Sequence, residues 1–347
     1  METMKALVFK EPWEINLEEV PVPQVHEKNQ VLIKIAECGI CGSDIKILEG
    51  KHAYNPNIVL GHEFNGTVVD VGSNVTAVQV GDRVALDNNP RCGVCDFCRT
   101  GVSNQCTELK NRTMGVYKDG GYAEYCVAPE DVCFKLPDEI DDTLGTQVET
   151  LGTVLNGMGV IQMQPWDTVL VLGCGPIGYL FGSLAKNIAA RAMITEIDPF
   201  RFNIAKGLGI EAFNPDKQDI EGAICELTAG RKADIVIDAV GDQLENALKY
   251  VTPGGKILAF GMNSNYNATI HPYYVTRHAV KILGTYIGQH TCIPAIRVFQ
   301  SGKIDMDAFF TDTVPLEQGA DAFLKLGLDL SKRKNVAKQA MKLTFKP

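Results

Sequence analysis

Four cysteines lie close together in one short segment of this 347-residue chain. Cys92, Cys95, Cys98 and Cys106 follow the pattern C-x2-C-x2-C-x7-C in RCGVCDFCRTGVSNQC. Four thiolates on so short a loop can surround one zinc ion at about 2.3 Å each, and they leave no coordination position open. The spacing therefore predicts a structural zinc site in a small lobe that covers roughly residues 88–108.

The chain has eleven cysteines in all, an odd number. Its first residues, METMKALVFKEPWE, contain no apolar segment of signal-peptide length. Thiols in a chain without an export signal serve as metal ligands and packing residues more often than as disulfides, so we expect a cytoplasmic protein. Cys38 and Cys41 form a further C-x2-C pair, for which a redox role is the alternative to metal binding.

The charge balance is acidic, because 33 Lys and Arg residues face 42 Asp and Glu residues for a formal net charge of −9. The sequence also lacks a basic run. We therefore expect neither nucleic acid nor an anionic membrane as a partner, and a small molecule instead. The most apolar window, residues 168–185, has the length of a membrane span, but its four glycines and central proline predict a strand, a turn and a helix.

The pattern of apolar and turn residues differs between the two halves of the chain. Up to about Thr150, short alternating or β-branched runs such as VLIKIAE and TVVDV are broken by turn residues, which predicts a β-rich domain. From about Pro165, apolar strands such as TVLVL and ADIVIDAV alternate with helical stretches, which predicts an α/β domain with a doubly wound parallel sheet. The final MKLTFK strand is expected to return to the first domain. The predicted domains are residues 1–151 with 289–347, and residues 152–288.

A glycine-rich turn directly follows the apolar strand TVLVL. It fits G-x-G-x-x-G, lies between a strand and a helix, and is followed about twenty positions later by an acidic residue. Glycines let the backbone approach a pyrophosphate, whose charge is met by free N–H groups at the helix start. An ordinary strand–helix turn is the alternative to a dinucleotide site. The predicted cofactor-binding residues of this turn are Gly173, Gly175, Pro176, Ile177 and Gly178.

Two acidic residues compete for the ribose of the dinucleotide. Asp198 precedes Pro199 and is predicted to be the N-cap of the next helix. Glu196 ends the strand, where its carboxylate could accept both ribose hydroxyls. Because that charge would repel a 2′-phosphate, we expect NAD rather than NADP. Arg201, one turn further on, is the residue that could accommodate the phosphate of NADP.

Two further motifs precede the four-cysteine lobe. Cys41 lies in CGICGSD, and His62 lies in GHEFNGTVVDVGSNV, which fits G-H-E-x2-G-x5-G-x2-V. Taken in order with the lobe and the glycine-rich turn, these motifs resemble the zinc-containing medium-chain dehydrogenases over almost the whole chain. The segment QVETLGTV around Glu149 is similar to that of the sorbitol and other polyol dehydrogenases. The resemblance implies a GroES-like catalytic domain and a Rossmann NAD-binding domain.

The resemblance also implies an open catalytic zinc site, and hence two zinc ions per chain. Its ligands would be Cys41, His62 and Glu149, with Glu63 as a further ligand or a close neighbour of the ligands. One thiolate, one imidazole and one carboxylate leave a fourth position for water or substrate. The alternative is that the histidine and both glutamates are ordinary core or solvated groups.

The residues after the first ligand would move the proton. The resemblance implies that Ser43 takes the alcohol proton and that Asp44 orients the histidine ligand. Many relatives continue with a histidine where this chain has Lys46, so the end of the proton relay differs. His52 or water would have to replace that histidine.

The motifs together predict zinc-dependent, NAD-linked, reversible oxidation of a secondary alcohol of a polyol or sugar-derived substrate to the ketone. By resemblance, a homodimer or homotetramer is expected. One alternative is a hydroxy-amino-acid dehydrogenase of threonine type. Another is a dehydrogenase of sugar acids or polyol phosphates, with Lys46, Lys51 or Arg112 facing the anion. A zinc module that binds a partner, or an inactive scaffold, is the alternative from another class.

Overall fold

The computed structural model describes residues 2–347 and divides them into two compact units. The first unit comprises the chain up to Gly152 together with Gly288–Ser301 and Phe310–Pro347. The second unit comprises Thr153–Ile287 together with Gly302–Phe309.

The segment Gly302–Phe309 differs from the predicted domain boundaries, because it groups with the second unit and not with the first. The reason is a local anchor: the Tyr179 hydroxyl donates a 2.8 Å hydrogen bond to the carbonyl of Asp305. The same tyrosine ring packs edge-to-face on Phe309, with ring centroids 5.4 Å apart.

The N-terminal part of the first unit consists mainly of β-strands joined by short helices. Alternating burial in the strand Gln30–Gly39 turns Val31, Ile33 and Ile35 toward one core, as a period of two requires. The elements of this part are β1 (Thr3–Glu11), β2 (Glu14–Pro21), β3 (Gln30–Gly39), α1 (Gly42–Leu48), β4 (Ile58–Val59), β5 (Glu63–Val71), β6 (Arg83–Leu86), α2 (Asp96–Arg99), α3 (Leu109–Arg112), β7 (Tyr125–Pro129), β8 (Cys133–Lys135) and α4 (Asp142–Gly145). The next helix, α5 (Val148–Ile161), begins in the first unit and continues into the second.

The second unit alternates strands and helices. Val169, Leu170 and Val171 are fully buried, as expected for a strand that is covered on both faces of a parallel sheet. Its elements are β9 (Thr168–Leu172), α6 (Pro176–Ile188), β10 (Arg191–Thr195), α7 (Pro199–Gly207), β11 (Glu211–Phe213), α8 (Ile220–Leu227), β12 (Ala233–Asp238), α9 (Leu244–Tyr250), β13 (Val251–Ala259), α10 (Pro272–Arg277) and β14 (Lys281–Gly284).

The six strands of the second unit pair in parallel in the order β11-β10-β9-β12-β13-β14. This is the strand order of a doubly wound dinucleotide-binding sheet. The chain reverses its winding direction between β9 and β12, and ligands of such sheets bind at the carboxyl ends of the strands at that point. The glycine-rich turn follows β9 directly and therefore lies at this position.

The C-terminal part of the chain completes the first unit. Phe345 pairs with Cys38, so the last strand joins β3 in antiparallel register, as the sequence predicted. Within residues 2–347, no helix combines the length and hydropathy needed to cross a bilayer. The elements of this part are α11 (Cys292–Gln300), β15 (Asp312–Pro315), α12 (Gly319–Lys325), β16 (Leu328–Asp329), β17 (Lys334–Asn335) and β18 (Leu343–Lys346).

Candidate metal centres and dinucleotide site

The pairing of β3 with β5 brings the first metal-binding motifs together. Gly39 at the end of β3 pairs with Glu63 at the start of β5, in antiparallel register. Cys41 then caps the N-terminus of α1, and His62 immediately precedes β5. As a result, the sulfur of Cys41, a ring nitrogen of His62 and a carboxylate oxygen of Glu63 lie within 4.8 Å of one another.

This group of three suits zinc. A thiolate, an imidazole and a carboxylate are the donor types that zinc takes, and three protein ligands leave a fourth position open for catalysis. The sequence analysis named Glu149 as the carboxylate and Glu63 as a ligand or a neighbour. The group within 4.8 Å contains Glu63, and Glu149 is not among its members.

The His62 ring lies between two polar side chains of α1. Its Nδ1 is 3.2 Å from Oδ1 of Asp44, and its Nε2 is 3.2 Å from the hydroxyl oxygen of Ser43. Burial alone would lower the pKa of His62, but the negative charges of Asp44 and Cys41 outweigh burial and raise it well above its usual value. The two distances show that the Asp44 carboxylate faces Nδ1 of His62, while Nε2 faces Ser43.

The Glu63 carboxylate is completely buried and receives hydrogen bonds from three side chains. Thr150 donates to Oε1 at 2.8 Å, while Gln147 at 3.3 Å and the ammonium of Lys342 donate to Oε2. Burial would raise the pKa of Glu63, but the charge of Lys342 more than compensates and lowers it. Gly39 is needed beside this group, because a Cβ at Gly39 would collide with the Glu63 carboxylate.

Glu149 lies in the first turn of α5 and is partly buried. Burial is the main reason that its pKa rises to about 7, and the carboxylates of Glu63 and Asp87 raise it further. The imidazole of His62 acts in the opposite direction. Glu149 is thus a second carboxyl group near the first metal-binding group, and its burial favours the protonated form.

The four cysteines of the lobe converge as their spacing predicts. Their sulfurs all lie within 4.8 Å of one another, and those of Cys92 and Cys98 are 4.0 Å apart. Sulfurs at tetrahedral positions about 2.3 Å from one zinc ion would lie about 3.8 Å apart. The arrangement therefore fits a single ion with a closed coordination shell.

Backbone amides stabilise negative charge on these sulfurs. The N–H of Cys95 points to the sulfur of Cys92 at 3.3 Å, and the N–H groups of Cys92 and Glu108 each point to the sulfur of Cys106 at 3.4 Å. Backbone hydrogen bonds, first that of Thr107, lower the pKa of Cys95 to about 6. The lowered pKa favours the thiolate, the form that binds zinc.

The glycine-rich turn has the conformation that a close backbone approach requires. Gly173 has a φ of 89°, which favours glycine, and a Cβ on Gly178 would collide with the carbonyl oxygen of Gly173. Gly175 is the N-cap of α6, and Pro176 occupies the first turn. The N-terminus of this 13-residue helix therefore points its free N–H groups toward the turn.

Two acidic residues, Glu196 and Asp198, follow β10 and accept backbone hydrogen bonds. Asp198 caps α7 by accepting a 3.0 Å hydrogen bond from the amide of Arg201, so this prediction is confirmed. Glu196 accepts backbone hydrogen bonds of 2.8, 2.8 and 2.9 Å from Cys174, Ile197 and Asp198. These bonds fix its carboxylate against the first residues of the glycine-rich turn.

Sequence reasoning missed two residues of the metal-binding region. Lys342 lies buried against Glu63, and the Tyr122 hydroxyl donates a 2.7 Å hydrogen bond to Asp44. A lysine inside the apolar run AMKLTF was the available signal for the first, because a charged residue in a buried strand needs a partner. No local pattern indicates the second.

Sequence comparison matches a different family model to each part of the chain. The model of the alcohol dehydrogenase GroES-like domain matches residues 27–138, and that of the zinc-binding dehydrogenases matches residues 176–301. The chain belongs to the zinc-binding medium-chain dehydrogenase family and is close to its polyol dehydrogenases. It is therefore an oxidoreductase of the alcohol and polyol type, and the predicted GroES-like and Rossmann domains are confirmed.

Individual relatives match over nearly their whole length. Sorbitol dehydrogenase of Bacillus subtilis is 30% identical over 92% of this chain and 93% of its own. D-arabitol-phosphate dehydrogenase of Enterococcus avium is 32% identical over 89% of both chains. Among solved structures, a zinc-binding dehydrogenase of Sinorhizobium meliloti bound to NADP superposes with a TM-score of 0.90, at 27% identity over 100% of both chains.

Proposed function

We propose that this chain catalyses the zinc-dependent, NAD-linked, reversible oxidation of a secondary alcohol of a polyol or sugar-derived substrate to the ketone. The observation that carries the proposal is the convergence of Cys41, His62 and Glu63 within 4.8 Å. Such a donor set leaves one position for an oxygen of the substrate. Similarity to a sorbitol dehydrogenase over 92% of the chain supports the choice of a polyol.

The roles of the residues follow from the geometry around His62. When bound, zinc would lower the pKa of a coordinated alcohol and the nicotinamide would accept its hydride. The Ser43 hydroxyl lies 3.2 Å from the ring of His62, which supports its role as acceptor of the alcohol proton. We assign Cys41, His62 and Glu63 as ligands, and Glu149 as a nearby carboxyl group whose charge interacts with His62 and Glu63.

The four-cysteine lobe would hold a second, structural zinc ion, so we propose two zinc ions per chain. The sulfur separations and the amide hydrogen bonds to the sulfurs support this assignment. The lobe offers no open coordination position and would take no direct part in the reaction.

NAD is the proposed cofactor, held by the glycine-rich turn with Glu196 at the ribose. The Glu196 carboxylate accepts hydrogen bonds from three backbone N–H groups, which supports a fixed negative charge that would repel a 2′-phosphate. A solved structural neighbour contains NADP, and Arg201 is the residue that could serve that cofactor here. Comparison of kcat/KM for the two cofactors tests the assignment.

We also propose a cytoplasmic homodimer or homotetramer whose partner is a small alcohol. All eleven cysteines are free, which suits a reducing compartment. Sedimentation of the purified protein would measure the oligomeric state, and a monomer at micromolar concentration would refute this part of the proposal.

A panel of polyols tests the central proposal. NADH fluorescence should rise when NAD and a polyol are added, and a chelator should remove this activity. Zinc added back should restore it. Absence of NADH formation with every polyol, or activity that is unaffected by removal of all metal, would refute the proposal.

A polyol phosphate is the second candidate substrate, because an Enterococcus avium relative is a D-arabitol-phosphate dehydrogenase. Lys51 is a weak candidate for holding the phosphate, since it already pairs with Glu49 at 3.0 Å. Turnover of free and phosphorylated forms of one polyol separates the candidates. A higher kcat/KM for the phosphate would favour the second.

A further inference from the structure

A short chain of hydrogen-bonding groups leads from the core of the first unit to His62. The Tyr122 hydroxyl donates to Oδ2 of Asp44 at 2.7 Å, and the amide of Cys41 donates to the same oxygen at 2.9 Å. The other oxygen, Oδ1, lies 3.2 Å from Nδ1 of His62. Within residues 2–347, Oδ1 and Nδ1 are both buried and neither makes a well-aligned hydrogen bond, so their 3.2 Å approach is a close polar contact between the carboxylate and the ring.

The position of Tyr122 is fixed from several sides. Its backbone N–H donates to the carbonyl of Leu60 at 2.9 Å, and its own carbonyl accepts from the amide of Leu7 at 2.8 Å. The ring packs edge-to-face on Phe345, with centroids 4.9 Å apart. Gly61, with a φ of 92°, has no room for a Cβ because the Tyr122 ring fills that space. The tyrosine is thus held against the residue that precedes His62.

We propose that Tyr122 is a positioning residue for the open zinc site. Its hydroxyl holds the Asp44 carboxylate with one oxygen turned toward Nδ1 of His62, and this fixes the ring with Nε2 facing Ser43. The inference rests on the proposed function, because it assumes that His62 is a zinc ligand. Tyr122 does not contact the metal or the substrate; it acts through Asp44.

The physical reason lies in the burial of both partners. Tyr122 and Asp44 are 0% exposed, so water cannot replace the phenol as a donor to the carboxylate. Burial also raises the pKa of Tyr122 well above its usual value, which keeps the hydroxyl protonated. A hydrogen bond to a buried carboxylate is stronger than one between neutral groups. Without it, Oδ2 keeps only the Cys41 amide as a donor among the described residues, and the carboxylate holds the histidine ring less firmly.

The second unit contains a matched control. Tyr179 is 1% exposed, its hydroxyl donates to a carbonyl at 2.8 Å, and its ring packs edge-to-face on Phe309. Tyr179→Phe therefore removes a buried phenol hydroxyl of the same kind without touching Asp44. Any effect that Tyr122→Phe has beyond this control belongs to the contact with Asp44.

The experiment compares zinc binding in the wild type, Tyr122→Phe and Tyr179→Phe, by competition with chelators of graded affinity. Changes around a ligand's hydrogen-bonding partner cost about 10–100-fold in metal affinity, so we expect a loss of about 10-fold at the open site in Tyr122→Phe. The four-cysteine zinc should be retained. Cobalt substituted at the open site should show a shifted visible absorption band in Tyr122→Phe only. Equal affinities and spectra in all three proteins would overturn the proposal.

A double-mutant cycle with Asp44→Asn separates positioning from general loss of stability. When Tyr122→Phe is added to the Asp44→Asn variant, it should cause no further loss of zinc affinity; a full and additive loss would overturn the proposal. Failure of the proposed function looks different. A wild-type protein that retains only the four-cysteine zinc and oxidises no polyol would refute the function before Tyr122 is considered.

Discussion

The ammonium of Lys342 contacts the carboxylate of Glu63 across 279 positions of the sequence, and both side chains are 1% exposed. The lysine immediately precedes β18, and the glutamate begins β5. Both strands adjoin β3, so the fold itself brings the charges together. A buried pair of this kind holds Glu63 in its charged form, the form that can bind a metal.

Lys342→Met should destabilise the metal-free protein by about 3–5 kcal/mol, because it leaves a buried carboxylate without its counter-charge. Urea unfolding measures the change in free energy. The double variant Lys342→Met/Glu63→Gln should recover part of the loss. As a control, Lys5→Met removes the exposed pair with Glu317 and should change stability little. Equal free energies of unfolding for Lys342→Met and Lys5→Met would show that the buried pair does not stabilise the protein.

Cys41→Ser and Cys98→Ser should each remove one zinc, and each should remove a different one. The two groups share no ligand, so loss of Cys41 leaves the lobe intact. Metal analysis should find about two zinc ions per wild-type chain and about one in each variant. Cys41→Ser should also abolish turnover. Loss of both metals from Cys41→Ser would count against two independent sites.

Glu63→Gln and Glu149→Gln distinguish the two carboxylates that compete for the open site. Glu63 belongs to the group of donors within 4.8 Å of one another and Glu149 is not among them, so Glu63→Gln should weaken zinc binding by about 10-fold or more. Glu149→Gln should retain two zinc ions per chain. The measurement is zinc content after dialysis against a weak chelator. The reverse result would make Glu149 the ligand, as the resemblance implied.

Glu196→Gln should weaken the preference for NAD over NADP by about 10-fold, because it removes one negative charge that repels a 2′-phosphate. The amide oxygen of glutamine can still accept backbone hydrogen bonds, such as the one from Cys174. The ratio of kcat/KM for the two cofactors is the measurement. Arg201→Ala is the companion variant and should reduce any residual use of NADP. An unchanged ratio in Glu196→Gln would remove the ribose role of Glu196.

Features built from neighbouring residues could be predicted from the sequence. Four thiols within fifteen positions have little freedom except to surround one ion, and the strand, glycine turn and helix after Thr168 follow from local periodicity. The N-terminal cap of α7 could also be predicted, because Asp198 and Pro199 act within a single turn. The resemblance of these motifs, in order, led to the correct family.

Contacts between distant residues were decided only by the tertiary structure. The register of β3 with β5 brings Glu63, and not Glu149, into the group with Cys41 and His62. The pairing of β18 with β3 places Lys342, which precedes β18, against the carboxylate of Glu63.

By itself, the sequence determined the domain types, the four-cysteine lobe, the dinucleotide turn and the short list of metal donors, since local spacing and periodicity control each of these. The tertiary structure decided which carboxylate lies with those donors, which cation pairs with that carboxylate, and that the Tyr122 hydroxyl contacts Asp44. Strand register sets the contacts of Glu63, and a one-residue shift in register would turn the side chains of a strand to its other face.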